Sequence, residues 1–139
     1  LSSSSAASDV YKRQGLGAGI RFVRSRGMDV IRAHEVALTG RLIAGLEGIS
    51  GVRIYGPHDP VRRTAAVSLT VEGCRVSDVG LRLDEEFEIL SRVGLHCAPA
   101  VHRTIGTFPE GTVRFAPSVF TTPDEIDTTL AAMQAIARP

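Results

Sequence analysis

The chain has 139 residues, 43% of them apolar, which predicts one globular domain with a modest hydrophobic core. Its formal net charge of +1 and its 5% of aromatic residues argue against a basic nucleic-acid-binding face or a membrane-binding patch. Because no apolar run is long enough to cross a bilayer, we expect no membrane span.

The first residues differ in character from the rest. Residues 1–14 read LSSSSAASDVYKRQ, a polar Ser/Ala-rich stretch without an amphipathic period and without the apolar core of a signal peptide. This leader is similar to translated adapter or vector sequence; the other interpretation is an ordinary disordered terminus. Either way, the domain is expected to span residues 15–139. The chain's only lysine, Lys12, lies in the leader and is not expected to be catalytic.

Two helices are predicted after the leader. The glycines within residues 15–19 follow the pattern G-x-G-x-G with no strand before it, which favours close helix packing over a dinucleotide-binding motif. The first helical segment starts at Ile20 and pauses at Gly27. Asp29 is predicted to cap a second helix, whose mainly apolar face consists of Ile31, Glu35, Leu38, Leu42 and Leu46.

Short strands are predicted in the middle of the chain. Val52–Tyr55 is one candidate, and the alternating, β-branched stretch Thr64–Val71 is a second with one buried face. Ser77 is predicted to cap a helix that ends near Glu86. Glu88–Val93 is the third strand candidate.

The last third of the chain completes the predicted fold. Residues 94–111 are interrupted by Gly and Pro and are predicted to be a long loop, a feature that is usually functional. A fourth strand, Thr112–Ala116, precedes a final helix that begins with the capping box of residues 122–125. This order predicts an α+β fold, with a small, mainly antiparallel sheet of three to four strands flanked by helices.

Several motifs in the same order resemble one enzyme family. Arg92–Pro99 (RVGLHCAP) looks like the active-site cysteine segment of cysteine desulfurases and selenocysteine lyases. Residues 106–115 (GTFPEGTVRF) resemble the strand that carries their carboxylate-binding arginine. The FTTPDEID, GLGAGI and YGP segments also fit, so the resemblance covers residues 15–137. It is to the C-terminal small domain of class V aminotransferases and cysteine desulfurases, which are pyridoxal 5'-phosphate (PLP) enzymes of fold type I.

The resemblance implies a two-domain, homodimeric, PLP-dependent enzyme that converts L-cysteine to L-alanine and keeps the sulfur as an enzyme persulfide. A sulfur-acceptor protein is a possible partner. The family's PLP lysine and most cofactor ligands precede the helix that begins near Gly15. The chain is therefore expected to be a fragment that has no cofactor-binding residues and is inactive alone.

Cys97 is the predicted catalytic residue. The thiolate is the reactive form of cysteine, and the resemblance implies that it accepts the substrate's sulfur on a mobile loop. We expect Arg92, His96, His102 and Arg103 to favour the thiolate if the fold brings them close. The alternative is a small buried hydrophobic residue, which is the usual role of a free cysteine.

Arg114, Arg92 and His96 are the predicted substrate-binding residues. The planar guanidinium of Arg114 suits an α-carboxylate; the alternative is an outward-facing residue on an edge strand. Arg92 either steadies the loop, lines the substrate site or faces solvent. His96, His102 and Cys97 match no standard zinc spacing, so no metal is expected.

Three functional interpretations stay open: a cysteine desulfurase-like enzyme, a class V aminotransferase or lyase without sulfur transfer, and a non-enzymatic α+β interaction module. In the second, Arg114 keeps its role and Cys97 has none. In the third, residues 94–111 contact a partner. Cys74 and Cys97 are far apart in sequence, which argues against a disulfide framework and favours a cytoplasmic location.

Overall fold

The computed structural model describes residues 2–138, with side chains from Val10 onward. The chain divides into two compact units, one ending at His34 and the other beginning at Glu35. Among the helices of the described residues, none has both the length and the apolar character that crossing a membrane requires.

The first unit is helical. Helix α1 spans Ser2–Arg26, and α2 spans Met28–Glu47 and so continues into the second unit. Gly27, with φ 85°, separates them. The helix predicted to start at Ile20 therefore begins much earlier, at Ser2. Asp29, predicted as an N-cap, lies instead in the first turn of α2.

The close helix packing predicted for the glycines of α1 stays a prediction. A Cβ atom built on Gly15 or Gly19 would meet no atom of the described residues within 4 Å. The helix also keeps a set of large apolar side chains exposed: Val10, Tyr11, Leu16, Ile20 and Val23. That residues 1–14 are a non-native leader stays a prediction.

The second unit contains a four-stranded antiparallel sheet, which confirms the predicted α+β fold. Its strands are Val52–Tyr55 (β1), Val67–Val71 (β2), Arg92–Gly94 (β3) and Thr112–Phe115 (β4). They lie in the order β1-β2-β4-β3, so β4 is central although it is last in sequence. This order places β4 side chains between those of β2 and β3.

Three further helices belong to this unit: α3 (Val76–Phe87), α4 (Pro99–Ile105) and α5 (Pro123–Ile136). Ser77 does not cap α3, because the N-cap is Arg75 and its side chain makes no capping bond. A short 3-10 helix, residues 60–62, lies between β1 and β2.

Residues 94–111 are not the single long loop that was predicted, because they contain α4. Pro99 stands at the start of this helix and Gly106, with φ 76°, ends it. Beyond the helix, the Gly111 amide donates a hydrogen bond to the Thr107 carbonyl at 2.7 Å. The segment is therefore hydrogen-bonded along much of its length.

The two faces of the sheet differ, because successive side chains of a strand point to opposite sides. One face packs into the core with residues of α2, α3 and α5; its buried members are Val67, Leu69, Val71, Val113 and Phe115. The strand register gives the other face a polar set: Arg53, Tyr55, Ser68, Thr70, Arg92, Thr112 and Arg114. We call this the polar face, and it carries the candidate site.

Candidate active site

The central strand places two arginines side by side. Arg114 of β4 is the register partner of Arg92 on β3 and of Ser68 on β2. Directly opposed residues of antiparallel strands have their side chains on the same face. Arg114 Nε is buried and has no hydrogen-bond partner among the described residues. A buried donor without a partner is unusual in a folded protein and is consistent with a site for an anionic group.

A tight turn follows β3 and contains the candidate nucleophile. The Ala98 amide donates to the Leu95 carbonyl at 2.8 Å, and the two residues between them, His96 and Cys97, have φ values of 50° and 59°. Positive φ at both central positions is the mark of a type I′ turn. Left-handed residues other than glycine are costly and are found preferentially at functional sites. Cys97 is exposed in this turn.

Cys97 contacts the first of the two arginines. Arg92 Nη2 donates a hydrogen bond to Cys97 Sγ at a distance of 3.7 Å. Since Arg92 is also the strand partner of Arg114, the structure brings a thiol and a pair of guanidinium groups to the same side of the sheet. An exposed thiol next to cationic groups can act as a nucleophile toward a substrate that carries a carboxylate.

His96 is held from inside the protein. Its Nε2 lies 3.1 Å from Thr112 Oγ1, and its buried Nδ1 has no partner among the described residues. Burial first, and then the charges of Arg114, His102 and Arg92, lower the pKa of His96 below its ordinary value. The ring is therefore neutral near pH 7. The substrate contact predicted for His96 stays a prediction.

The other expected neighbours of the sulfur have partners of their own. His102 is buried, with Nδ1 2.7 Å from Thr107 Oγ1. The guanidinium of Arg103 lies over the ring of Phe108, 4.6 Å from its centroid. Cys74 is partly buried against the hydrophobic core, as a structural cysteine would be.

The threonine partners of the two histidines are not recognisable from the sequence. Thr112 was identified only as the first residue of a strand, and Thr107 as part of a loop. No local pattern marks a threonine hydroxyl as the partner of a distant histidine, because that pairing depends on how the chain turns after β3.

The described residues do not fit a covalently held PLP. Enzymes that use PLP hold it as a Schiff base with a lysine. The only lysine of this chain, Lys12, is exposed on α1 and lies in the first unit, whereas the polar face belongs to the second. Among the described residues of the second unit there is no lysine that could hold PLP.

The polar face and its turn can be compared with known proteins. The family model for class V aminotransferases, described as "Aminotransferase class-V", matches residues 6–129. The chain belongs to this family. The match covers all four strands of the sheet together with the turn that presents Cys97.

Similar proteins within the family are named as cysteine desulfurases. The chain is 39% identical over 127 residues to "Probable cysteine desulfurase" of Streptomyces coelicolor, covering 91% of the chain and 30% of that protein. It is 37% identical over 119 residues to "Probable cysteine desulfurase 2" of Mycobacterium leprae, covering 86% and 28%. The chain thus spans less than a third of the length of these relatives.

A solved structure agrees with the fold described above. The apo structure of a cysteine desulfurase from Thermococcus onnurineus superposes with a TM-score of 0.83 at 34% identity, covering 89% of this chain and 30% of that one. Family and fold are therefore supported by sequence and by structure.

Proposed function

We propose that this chain supplies the sulfur-accepting and carboxylate-binding part of a PLP-dependent cysteine desulfurase. The observation that carries the proposal is the exposed Cys97 in a left-handed turn, with its sulfur 3.7 Å from Arg92 Nη2. Arg92 in turn pairs with Arg114 across the strands. The names of the relatives support the same assignment.

In this function each side chain has a distinct task. Arg114 binds the α-carboxylate of L-cysteine through its planar fork. Cys97 accepts the sulfur atom: its thiolate forms a bond to the substrate sulfur, and the carbon–sulfur bond of the substrate breaks. The electron pair of that bond goes to the substrate β-carbon, which takes up one proton, equivalent to the one lost from the thiol, so that L-alanine and a Cys97 persulfide result. PLP, held by residues outside this chain, supplies the electron sink that such chemistry at a substrate carbon requires.

The exposure of Cys97 also suits the step that must follow. A persulfide at the tip of a turn can be reached by a second macromolecule, so a sulfur-acceptor protein fits as a partner. We further propose that the longer protein works as a homodimer in the cytoplasm, as the family resemblance implies.

The test compares substitutions of Cys97 and Cys74 in the longer cysteine desulfurase of which we propose this chain is a part. Purified protein with PLP and L-cysteine is assayed for alanine and, in the presence of a reductant, for sulfide. Cys97→Ala should abolish sulfide release, whereas Cys74→Ala is the matched control and should retain it. Unchanged sulfide release by Cys97→Ala would overturn the proposal. Transamination or elimination that does not require Cys97 would instead favour a class V enzyme without sulfur transfer.

A further inference from the structure

The side chain of His96 ties the turn to the central strand. Gly94 and Thr112 are register partners at the end of β3, after which the chain turns back so that His96 Nε2 lies 3.1 Å from Thr112 Oγ1. Thr112 is 0% exposed, so its hydroxyl depends on a partner inside the protein. The hydrogen bond therefore satisfies a buried group and fixes the position of His96.

The turn of residues 95–98 needs this hydrogen bond, because its sequence does not favour a left-handed conformation at its two central residues. Type I′ turns are dominated by Asn, Asp and Gly, whereas this one has His96 and Cys97 at its centre. A residue other than glycine is disfavoured in the left-handed region. The described contacts within the turn include one backbone hydrogen bond, from Ala98 to Leu95.

The two ends of the segment of residues 95–110 are also held together. A Cβ atom on Gly111 would lie only 2.1 Å from the Gly94 carbonyl oxygen, so the backbones on either side of residues 95–110 are in direct contact. The backbone is thus held at both ends of the segment, and His96 is bonded to Thr112. The other central residue of the turn, Cys97, then lies next to Arg92.

We propose that His96 is a positioning residue which, through Thr112, holds the turn of residues 95–98 so that Cys97 Sγ stays beside Arg92. The proposal rests on Cys97 being the reactive sulfur. It adds that His96 acts through the backbone and requires the Thr112 hydroxyl.

The test measures how fast the Cys97 thiol reacts in the chain itself, with no need for desulfurase activity. Iodoacetamide is added near pH 7, and mass spectrometry follows alkylation of the Cys97 peptide and of the Cys74 peptide separately. His96→Asn removes the imidazole but keeps a residue that adopts the left-handed region readily. Thr112→Val removes only the hydroxyl. Both should slow alkylation of Cys97 several-fold, because the sulfur no longer stays next to Arg92.

Two further variants separate positioning from a general loss of structure. Thr112→Ser keeps the hydroxyl and should restore the wild-type rate. Thr70→Val removes a hydroxyl that bonds Tyr55 on the same face, and it should leave the Cys97 rate unchanged. If Thr112→Val unfolds the chain, the partly buried Cys74 will alkylate faster too, and His96→Asn then decides the question.

Wild-type alkylation of Cys97 in His96→Asn would overturn the positioning role. The proposed function is tested separately by sulfide release from Cys97→Ala. Slower Cys97 alkylation in His96→Asn, together with unchanged sulfide release by Cys97→Ala, would reject the proposed function and leave the positioning role standing.

Discussion

Cys97 occupies a backbone conformation that glycine prefers, with φ 59°. An L-residue there is disfavoured by about 1–2 kcal/mol, whereas glycine loses about 0.4–1 kcal/mol more in chain entropy than alanine on folding. Cys97→Gly should therefore raise the free energy of unfolding above that of Cys97→Ala by roughly 0.5–1 kcal/mol. Both variants lack the thiol, so the difference between them reports the backbone alone. Urea denaturation of the two chains measures it.

The same pair of substitutions at Gln134 provides the control. Gln134 is exposed in α5, where glycine is less stable than alanine by about 1 kcal/mol. The order of stability should thus reverse between the two positions. Equal or lower stability of the glycine variant at position 97 would show that the turn is not strained. In that case the left-handed conformation of Cys97 would not lower the free energy of unfolding.

His96 makes stability depend on pH. Burial, followed by the charges of Arg114, His102 and Arg92, lowers its pKa in the folded chain, while the unfolded value is about 6.5. Between the two pKa values the unfolded chain binds more protons, so this contribution is present above about pH 6.5 and is lost as the pH falls. His96→Asn should remove that part of the acid destabilisation.

Urea denaturation from about pH 8 to about pH 5 compares the wild type with His96→Asn. All other residues are the same in both proteins, so the difference between the two curves isolates residue 96. Parallel curves over this range would contradict the lowered pKa and the buried environment that causes it.

The final helix shows what local sequence contributes to the fold. In α5 the Thr122 side chain accepts a hydrogen bond from the Glu125 amide at 3.3 Å, and the Glu125 carboxylate accepts one from the Thr122 amide at 2.7 Å. The bond from the Thr122 amide, followed by the one that the Thr122 hydroxyl donates to the same carboxylate at 3.0 Å, lowers the pKa of Glu125. Thr122→Ala should reduce the free energy of unfolding by about 1 kcal/mol.

Thr128→Ala is the matched control for that prediction. Thr128 lies inside the same helix and its hydroxyl bonds the Asp124 carbonyl. Alanine has the higher helix propensity at an interior position, so stability should stay constant or rise slightly. If the two variants were equally destabilised in urea, the capping box would not be the source of the effect.

Elements with strong local signals could be predicted. The bounds of β1 agree with the structure, and the capping box that starts α5 is confirmed. Helix α4 was missed because its seven residues are too few to show a period. Its proline and glycine were interpreted as loop residues, although they stand at the start and end of the helix. Strand β3 begins later than predicted because Glu88 ends α3 in the left-handed region.

The candidate site could be predicted only in part. The residues Cys97, Arg92 and Arg114 are recognisable from the motifs in which they lie. Their juxtaposition depends on β4 pairing between β2 and β3, which no local pattern specifies. The turn that holds His96 and Cys97 was also beyond prediction, because it lacks the Asn or Gly that marks a type I′ turn in sequence.

At the scale of the whole molecule, the chain is less than a third of the length of its named relatives. Its second unit combines a hydrophobic core on one side of the sheet with an arginine pair and an exposed thiol on the other. Its one lysine lies in the first unit. We propose that this chain contributes substrate binding and sulfur acceptance, and that residues outside it bind the cofactor.

The most direct test of sulfur acceptance is the mass of the Cys97 peptide. The longer protein is incubated with PLP and L-cysteine, trapped with an alkylating agent and digested, and the Cys97 and Cys74 peptides are compared by mass spectrometry. We expect a mass increase of one sulfur atom on the Cys97 peptide and none on the Cys74 peptide. Alanine formation with no sulfur added to Cys97 would contradict this expectation.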